Sequence, residues 1–165
     1  MKITAQEEYG LRILLRIARD GNTDGISIPA LSETEGLSTA YVGKLTRSLR
    51  MAGYINSTPG YKGGYVLAQP ADQININQVM KTLGGSLYSK EFCGDYSGGM
   101  KFCTNSIDCS VRSLWQMIQF SVDQLLDKLN LQDLIGNEAE SNTQILDKLT
   151  HLKDQINHIV LPNGN

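Results

Sequence analysis

The stretch that most limits how this chain can fold is Pro59-Gly60-Tyr61-Lys62-Gly63-Gly64. One proline and three glycines in six residues cannot continue a helix or a regular strand, and they mark a reversal of the chain. On either side stand Ile55-Asn56-Ser57-Thr58 and Gly64-Tyr65-Val66-Leu67, short runs with the residue types of strands. The segment therefore reads as a β-hairpin with a basic, glycine-rich tip. Upstream, residues 4–19 read as a helix. Leu11, Leu14, Leu15 and Ala18 share one apolar stripe at three- and four-residue spacing, and Ile13 and Ile17 lie on a second. Two apolar faces predict a helix sandwiched between its own domain and a partner subunit. Gly21 and Gly25 break the chain, and a short second helix follows with Ser27 as N-cap, Pro29 in its first turn and Gly36 at its close. A third helix opens at Ser38 or Thr39, ends at Met51 or Ala52 with Gly53 as the stop, and keeps Val42, Leu45 and Leu49 on its inner face.

Helix-turn-helix followed at once by a hairpin is the order of a winged helix. The outer face of the third helix presents Ser38, Thr39, Ala40, Tyr41, Gly43, Lys44 and Arg47. Small residues at its start permit close approach to a major groove, and the cations further along reach phosphates. An ordinary surface helix has the same composition; the hairpin that follows decides between the two. The wing tip Gly60, Tyr61 and Lys62 would lie along the minor groove. A phosphate-cradling loop is the other reading of such glycines, but the P-loop spacing and its Gly-Lys-Ser/Thr ending are missing.

The net charge of −2 argues against a nucleic-acid partner only as an average. Residues 36–70 hold four basic side chains (Lys44, Arg47, Arg50 and Lys62) and no Asp or Glu, whereas from residue 71 onward seven basic residues face eleven acidic ones. Phosphate binding follows the local surface, so the basic stretch can serve duplex DNA on an acidic chain. No run of about 18 apolar residues and no basic-then-apolar N-terminus occurs, so neither a membrane span nor a secretory signal is expected and the chain reads as cytoplasmic.

Further along, residues 76–83 form a connecting helix. Val111, Leu114, Trp115, Ile118, Val122, Leu125, Leu126 and Leu129 then recur at three- and four-residue steps over about five turns. That stripe is longer than a small winged domain can cover and reads as a dimerisation helix. The fold class is thus mainly α with a small β-hairpin, a winged helix-turn-helix plus a long dimerisation helix. Residues 1–70 form the DNA-binding domain, 71–90 a connecting helix, 91–110 a cysteine loop, 111–135 the dimerisation helix, and 137–165 a linker (137–142) with a helical tail. In the tail Ile145, Leu149, Leu152, Ile156 and Ile159 alternate as in a short coiled-coil seam, with His151 and His158 off it.

The three cysteines, Cys93, Cys103 and Cys109, all fall in that loop. An odd number without a signal peptide argues against a disulfide framework. Thiolates are the ligands iron–sulfur clusters require, and the glycine-containing stretch between Cys93 and Cys103 could wrap an inorganic group. From the residues alone, zinc binding or incidental thiols remain equal alternatives. Catalysis has no support, since both histidines lie in the tail and no nucleophile–His–acid arrangement is present.

Several blocks in order resemble the Rrf2 family of winged-helix transcription regulators, with its IscR-like iron–sulfur sensors and NsrR-like nitric-oxide sensors. They are Glu8-Tyr9-Gly10-Leu11-Arg12, Leu37-Ser38-Thr39-Ala40-Tyr41-Val42, the wing Gly60-Tyr61-Lys62-Gly63-Gly64-Tyr65-Val66-Leu67-Ala68, the three cysteines ahead of Arg112-Ser113-Leu114-Trp115, and Leu131-Gln132-Asp133-Leu134. The resemblance covers roughly residues 1–135. It implies a homodimer on promoter DNA, with no membrane or small-molecule substrate, sensing iron–sulfur, redox or nitric-oxide status. The sensor would be a cluster held by Cys93, Cys103 and Cys109, expected as 2Fe–2S ahead of 4Fe–4S; a cluster-free thiol-redox or zinc-bound regulator is the alternative. IscR-like members place a ligating His shortly after the third Cys, where this chain has Arg112. NsrR-like members draw a carboxylate from the partner's first helix, and the matching residue is Glu8, with Glu7, Asp95 and Asp108 as competitors. Pro59 stands where members of the family often carry an Arg ahead of the wing, so a relative's operator preference does not transfer.

Overall fold

The structure, a computed structural model, describes residues 3–59, 63–89, 91–99 and 102–160, the last ten as backbone alone. Helix α1 (Ala5–Asp20) starts at a capping box. Thr4 Oγ1 accepts from the Glu7 N–H at 3.4 Å, and the Glu7 carboxylate accepts from the Thr4 N–H at 2.8 Å. Helix α1 is the hub of the fold and touches α2 (Ile28–Glu35), α3 (Thr39–Met51), strand β2 (Tyr65–Leu67) and α4 (Ile76–Gly84). Because four elements surround it, both stripes read from the sequence are taken up inside the protomer. Ile13, Leu14 and Ile17 are buried, and Leu11, Leu15 and Ala18 pack beside them at the edge of the core.

Helices α2 and α3 begin where their hydroxyls can cap them. Ser27 Oγ accepts from the Ala30 N–H at 3.4 Å and Ser38 Oγ from the Tyr41 N–H at 3.2 Å. Gly36 closes α2 in the left-handed conformation, φ +67°. Val42, Leu45 and Leu49 are fully buried, as the inner face of α3 requires.

Strand β1 (Ile55–Ser57) pairs antiparallel with β2 in the register Ile55↔Leu67, Asn56↔Val66 and Ser57↔Tyr65. The strands are a residue shorter than the sequence suggests. Beyond Ser57 a side chain joins the pairing: Thr58 Oγ1 accepts from the Gly64 N–H at 2.8 Å while the Thr58 N–H donates to the Gly64 carbonyl at 2.9 Å. Ile26 adds a third backbone to the wing, bridging Tyr65 through bonds of 3.1 and 3.0 Å. A Cβ on Gly64 would stand 2.5 Å from the Gly25 carbonyl carbon, so this crossing needs glycine.

The core continues past the wing without a break. Ile74, Ile76, Val79 and Leu83 join it, as do Leu129 and Leu131 from far along the chain. Helix α4 is capped by Asn75. After a short helix α5 (Phe92–Asp95) and the long α6 (Ser110–Leu126), the chain returns to the domain: the Ile76 N–H donates to the Leu129 carbonyl at 3.0 Å and the Leu131 N–H to the Ile74 carbonyl at 2.9 Å. This return corrects the reading of Leu129. It lies beyond the end of α6 and is buried in its own protomer's core, not on a dimerisation stripe.

Residues 137–142, expected as a linker, are helical from Glu138, the start of α7 (Glu138–Val160). Asn137 and Glu140 cap each other, the Asn137 N–H donating to the Glu140 carboxylate at 2.9 Å and the Glu140 N–H to Asn137 Oδ1 at 3.0 Å. Ile145 packs against the core, and Lys148 pairs with the buried Asp133 at 2.6 Å. The seam positions Leu152, Ile156 and Ile159, and both histidines, have side chains outside the described residues, whereas Leu149 is half-buried.

Candidate nucleic-acid interface and metal centre

On α3 the side chains of Ser38, Thr39, Ala40, Lys44 and Arg47 are solvent-exposed, and this stretch carries no acidic residue. Tyr41 and Gly43, grouped with them from the sequence, turn partly inward. The Tyr41 ring meets the Tyr9 ring edge-on, centroids 6.2 Å apart at 85°, and the Arg12 guanidinium lies 5.5 Å from the Tyr9 centroid. Gly43 faces α2, where an added Cβ would stand 3.9 Å from the Ile28 methyl. These contacts seat α3 against α1 and α2, leaving its first turn and its cations free to meet a groove. Gly60, Tyr61 and Lys62 lie outside the described residues.

Helix α2 is held to α1 by charge. Glu35, its last residue, accepts from Arg12 at 2.8 and 2.9 Å and from Arg16 at 2.9 Å. The carboxylate is buried, whereas both guanidinium groups are partly exposed. Sequence reading did not pair these residues. An i, i+4 pair of arginines facing the end of the next helix was the available signal.

The fold brings the three cysteines to one place. Cys93, Cys103 and Cys109 are free thiols, each half-buried, and all three line a cavity of about 260 Å³. Aromatic side chains wall it: Tyr88, Phe92 and Tyr96 stack successively, with centroids 5.4 and 4.6 Å apart, and Trp115 contributes from α6. Their i, i+4 spacing was legible in the sequence and was missed. Cys109 caps α6, its Sγ accepting from the Arg112 N–H at 3.4 Å, so that sulfur sits at the positive end of a helix. The Tyr88 hydroxyl lies 3.7 Å from Cys93 Sγ. That hydrogen bond, with burial and the nearby sulfur charge adding to it, pushes the Tyr88 phenol above its ordinary range.

Among the described residues, no three His, Cys, Asp or Glu side chains stand close enough together to hold a metal ion. The residues nevertheless suit a thiolate-bound, anionic group. Three sulfurs share one partly water-shielded cavity, and a cation lies on its wall, the Arg112 guanidinium with its Nε–H buried and unpartnered. Glu8 is exposed and is not on the wall of its own protomer's cysteine cavity. Its competitor Glu7 is buried and committed to the capping box. Asp95 and Asp108 are exposed and lie off the cavity wall.

The family model for Rrf2, described as an iron-dependent transcriptional regulator, matches residues 3–137. The chain belongs to the Rrf2 family. It is 34% identical over 139 residues to the protein rrf2 of Nitratidesulfovibrio vulgaris, covering 84% of this chain and 90% of that one. Among solved structures it is similar to CymR, the global cysteine regulator of B. subtilis, with TM-score 0.65, 29% identity and coverage of 82% and 96% of the two chains. It is also similar to T. potens IscR, with TM-score 0.63, 27% identity and coverage of 82% and 86%. Rrf2 proteins are transcriptional regulators and not enzymes, and they bind DNA and are generally dimeric. No helix of the described residues is long and apolar enough to cross a membrane.

In this Rrf2 regulator the long helix α6 has two apolar sides. Ile118, Val122 and Leu126 are half-buried toward their own protomer, where Leu126 joins the core. Val111, Leu114, Trp115 and Leu125 are exposed, together with Met117 and Phe120, which the sequence stripe left out. The family match ends at residue 137, so α7 lies wholly beyond it.

Proposed function

We propose that this chain is a cytoplasmic, homodimeric transcription regulator that senses iron–sulfur, redox or nitric-oxide status through an iron–sulfur cluster. The carrying observation is the single cavity lined by Cys93, Cys103, Cys109 and Arg112. The three cysteines would hold the cluster, with Glu8 of the partner subunit as fourth ligand. The cluster would supply a redox- and nitric-oxide-reactive centre there. Exposed Glu8 is free for such a role, whereas Glu7 is not. The exposed apolar side of α6 would face the second copy, since several large apolar side chains exposed on one helix suit a protein interface. DNA would be read by Ser38, Thr39, Ala40, Lys44 and Arg47, with Tyr41 and Gly43 seating the helix and Gly60, Tyr61 and Lys62 on the wing.

The coupling runs through α1. Glu8 neighbours Tyr9, which packs on Tyr41 of α3, and Arg12, which pairs with Glu35 of α2. A change at Glu8 therefore acts on the helix that seats both halves of the reading head. Since half-sites on DNA have fixed spacing, a small shift of α3 alters affinity strongly.

Anaerobic purification followed by iron, sulfide and absorption measurements tests this. Wild type should be brown, with iron and sulfide in equal amounts for either cluster type. Cys93→Ser should lose both and change promoter affinity in mobility shifts. The cluster-free reading, a thiol or zinc sensor, draws on the likeness to a cysteine regulator and on the sulfurs standing apart. Colourless protein with stoichiometric zinc, or no metal at all, would establish it and overturn the cluster.

A further inference from the structure

Arg112 is the wall residue of the cysteine cavity whose hydrogen-bonding capacity is only partly used. Its Nη2 donates to the backbone carbonyls of Asn105 at 3.0 Å and Ser106 at 2.6 Å. Those bonds clamp the guanidinium across the loop between Cys103 and Cys109. Its Nε–H is buried with no acceptor, the sole such side-chain atom found among the described residues. Buried donors are nearly always paired, so an orphan at a cavity wall marks a place where an acceptor belongs. Carbonyl oxygens also leave the positive charge uncompensated. Among the described residues no Asp or Glu lines this cavity, which Arg112 shares with the three cysteines, Tyr88 and Asn105.

We infer that Arg112 is the electrostatic partner of the sulfur-ligated group, its Nε–H and charge directed at a thiolate or sulfide sulfur of the cluster. The assignment rests on the cluster reading above. It gives Arg112 a positioning and tuning role at the place where IscR-like relatives carry a ligand. Hydrogen bonds to the sulfurs and nearby positive charge set the potential of such groups. If the cysteines hold such a group, an electron supplied from outside would add one negative charge and break no bond, and the fixed Arg112 cation would favour that reduced form.

The test compares wild type, Arg112→Gln and Arg112→Lys, reconstituted anaerobically and assayed for iron and sulfide, then titrated at controlled potentials with absorption and paramagnetic-resonance readouts. Both variants keep N–H donors for the loop carbonyls, and Lys also keeps the charge. At a fixed potential, Arg112→Gln should raise the oxidised-to-reduced ratio about tenfold, equivalent to about 59 mV for one electron. Arg112→Lys should restore most of that, and the resonance spectrum of the reduced form should change in Gln. A ratio within twofold of wild type in Gln overturns the assignment. So does a shift in Lys as large as in Gln, which would leave Arg112 as a clamp on the loop. Wild-type protein holding neither iron nor sulfide overturns the cluster reading itself, and this assignment with it. A loaded wild type with an unmoved Gln variant overturns this assignment alone.

Discussion

Replacing Glu35 by Ala should cost about 2 kcal/mol of folding stability and weaken DNA binding, because one buried carboxylate ties the first helix of the reading head to α1. The magnitude follows from the asymmetry of the site. Breaking a fully buried ion pair costs about 3–5 kcal/mol, while exposed pairs contribute about 0–1 kcal/mol. Here the Glu35 side chain is 3% exposed, but its partners Arg12 and Arg16 are 45% and 39% exposed. When the carboxylate is lost, both guanidinium groups recover water, so the penalty falls between those limits. Urea unfolding followed by circular dichroism measures it. With a slope of about 2 kcal/mol per molar, the midpoint should drop by about 1 M with the slope unchanged. Combining Glu35→Ala with Arg12→Ala and Arg16→Ala in a mutant cycle should show strong coupling, since the three share one interaction. A loss below about 0.5 kcal/mol, or additive effects in the cycle, would refute the reasoning.

The free face of α3 makes a separate prediction: Lys44→Gln and Arg47→Gln should each weaken binding to a promoter duplex and reduce the slope of log affinity against log salt by about 1, measured by fluorescence anisotropy. Unchanged slopes in both would move the phosphate contacts off this helix. Asp123 supplies a pH prediction. Burial opposes its charge, but its bonds from Lys81 at 2.9 Å and Gln119 at 2.8 Å prevail and hold its carboxyl below the ordinary range. A depressed carboxyl stabilises the fold above its unfolded value of about 3.9, and that contribution is lost as pH falls through the folded value. Asp123→Asn should therefore be less stable than wild type at neutral pH, with the gap closing below about pH 4 in thermal melts. A gap that stays constant down to pH 2 would show that the charge is not what stabilises.

The element order was legible because its signals are local. Thr4, Ser27 and Ser38 stand before the helices they cap, Gly36 stands just past the end of one, and the wing announces itself through glycines and short strand runs. Binary pattern also placed Val42, Leu45 and Leu49 in the core. The same method failed where a partner came from afar. Leu129 keeps the step of the α6 stripe, yet the helix has ended and the backbone has turned to pair with residues 74 and 76. Ile26 has no strand neighbours in sequence and becomes part of the wing through Tyr65. Residues 137–142 carry the polar composition of a linker, and a reciprocal cap starts a helix there instead.

For the proposed sensor site, sequence alone determined the candidate ligand types: three thiols in one loop, no histidine near them, and an arginine three residues past the last cysteine. Only the tertiary structure decided that those thiols share one cavity, that Tyr88, Phe92, Tyr96 and Trp115 wall it, and that Arg112, whose Nε–H is buried and unsatisfied, lines it with them. The physical reason is range. Caps, turns and periodicity act over a few residues and can be read in a window. The direction in which a loop side chain points depends on carbonyls and packed rings that only the folded chain brings together.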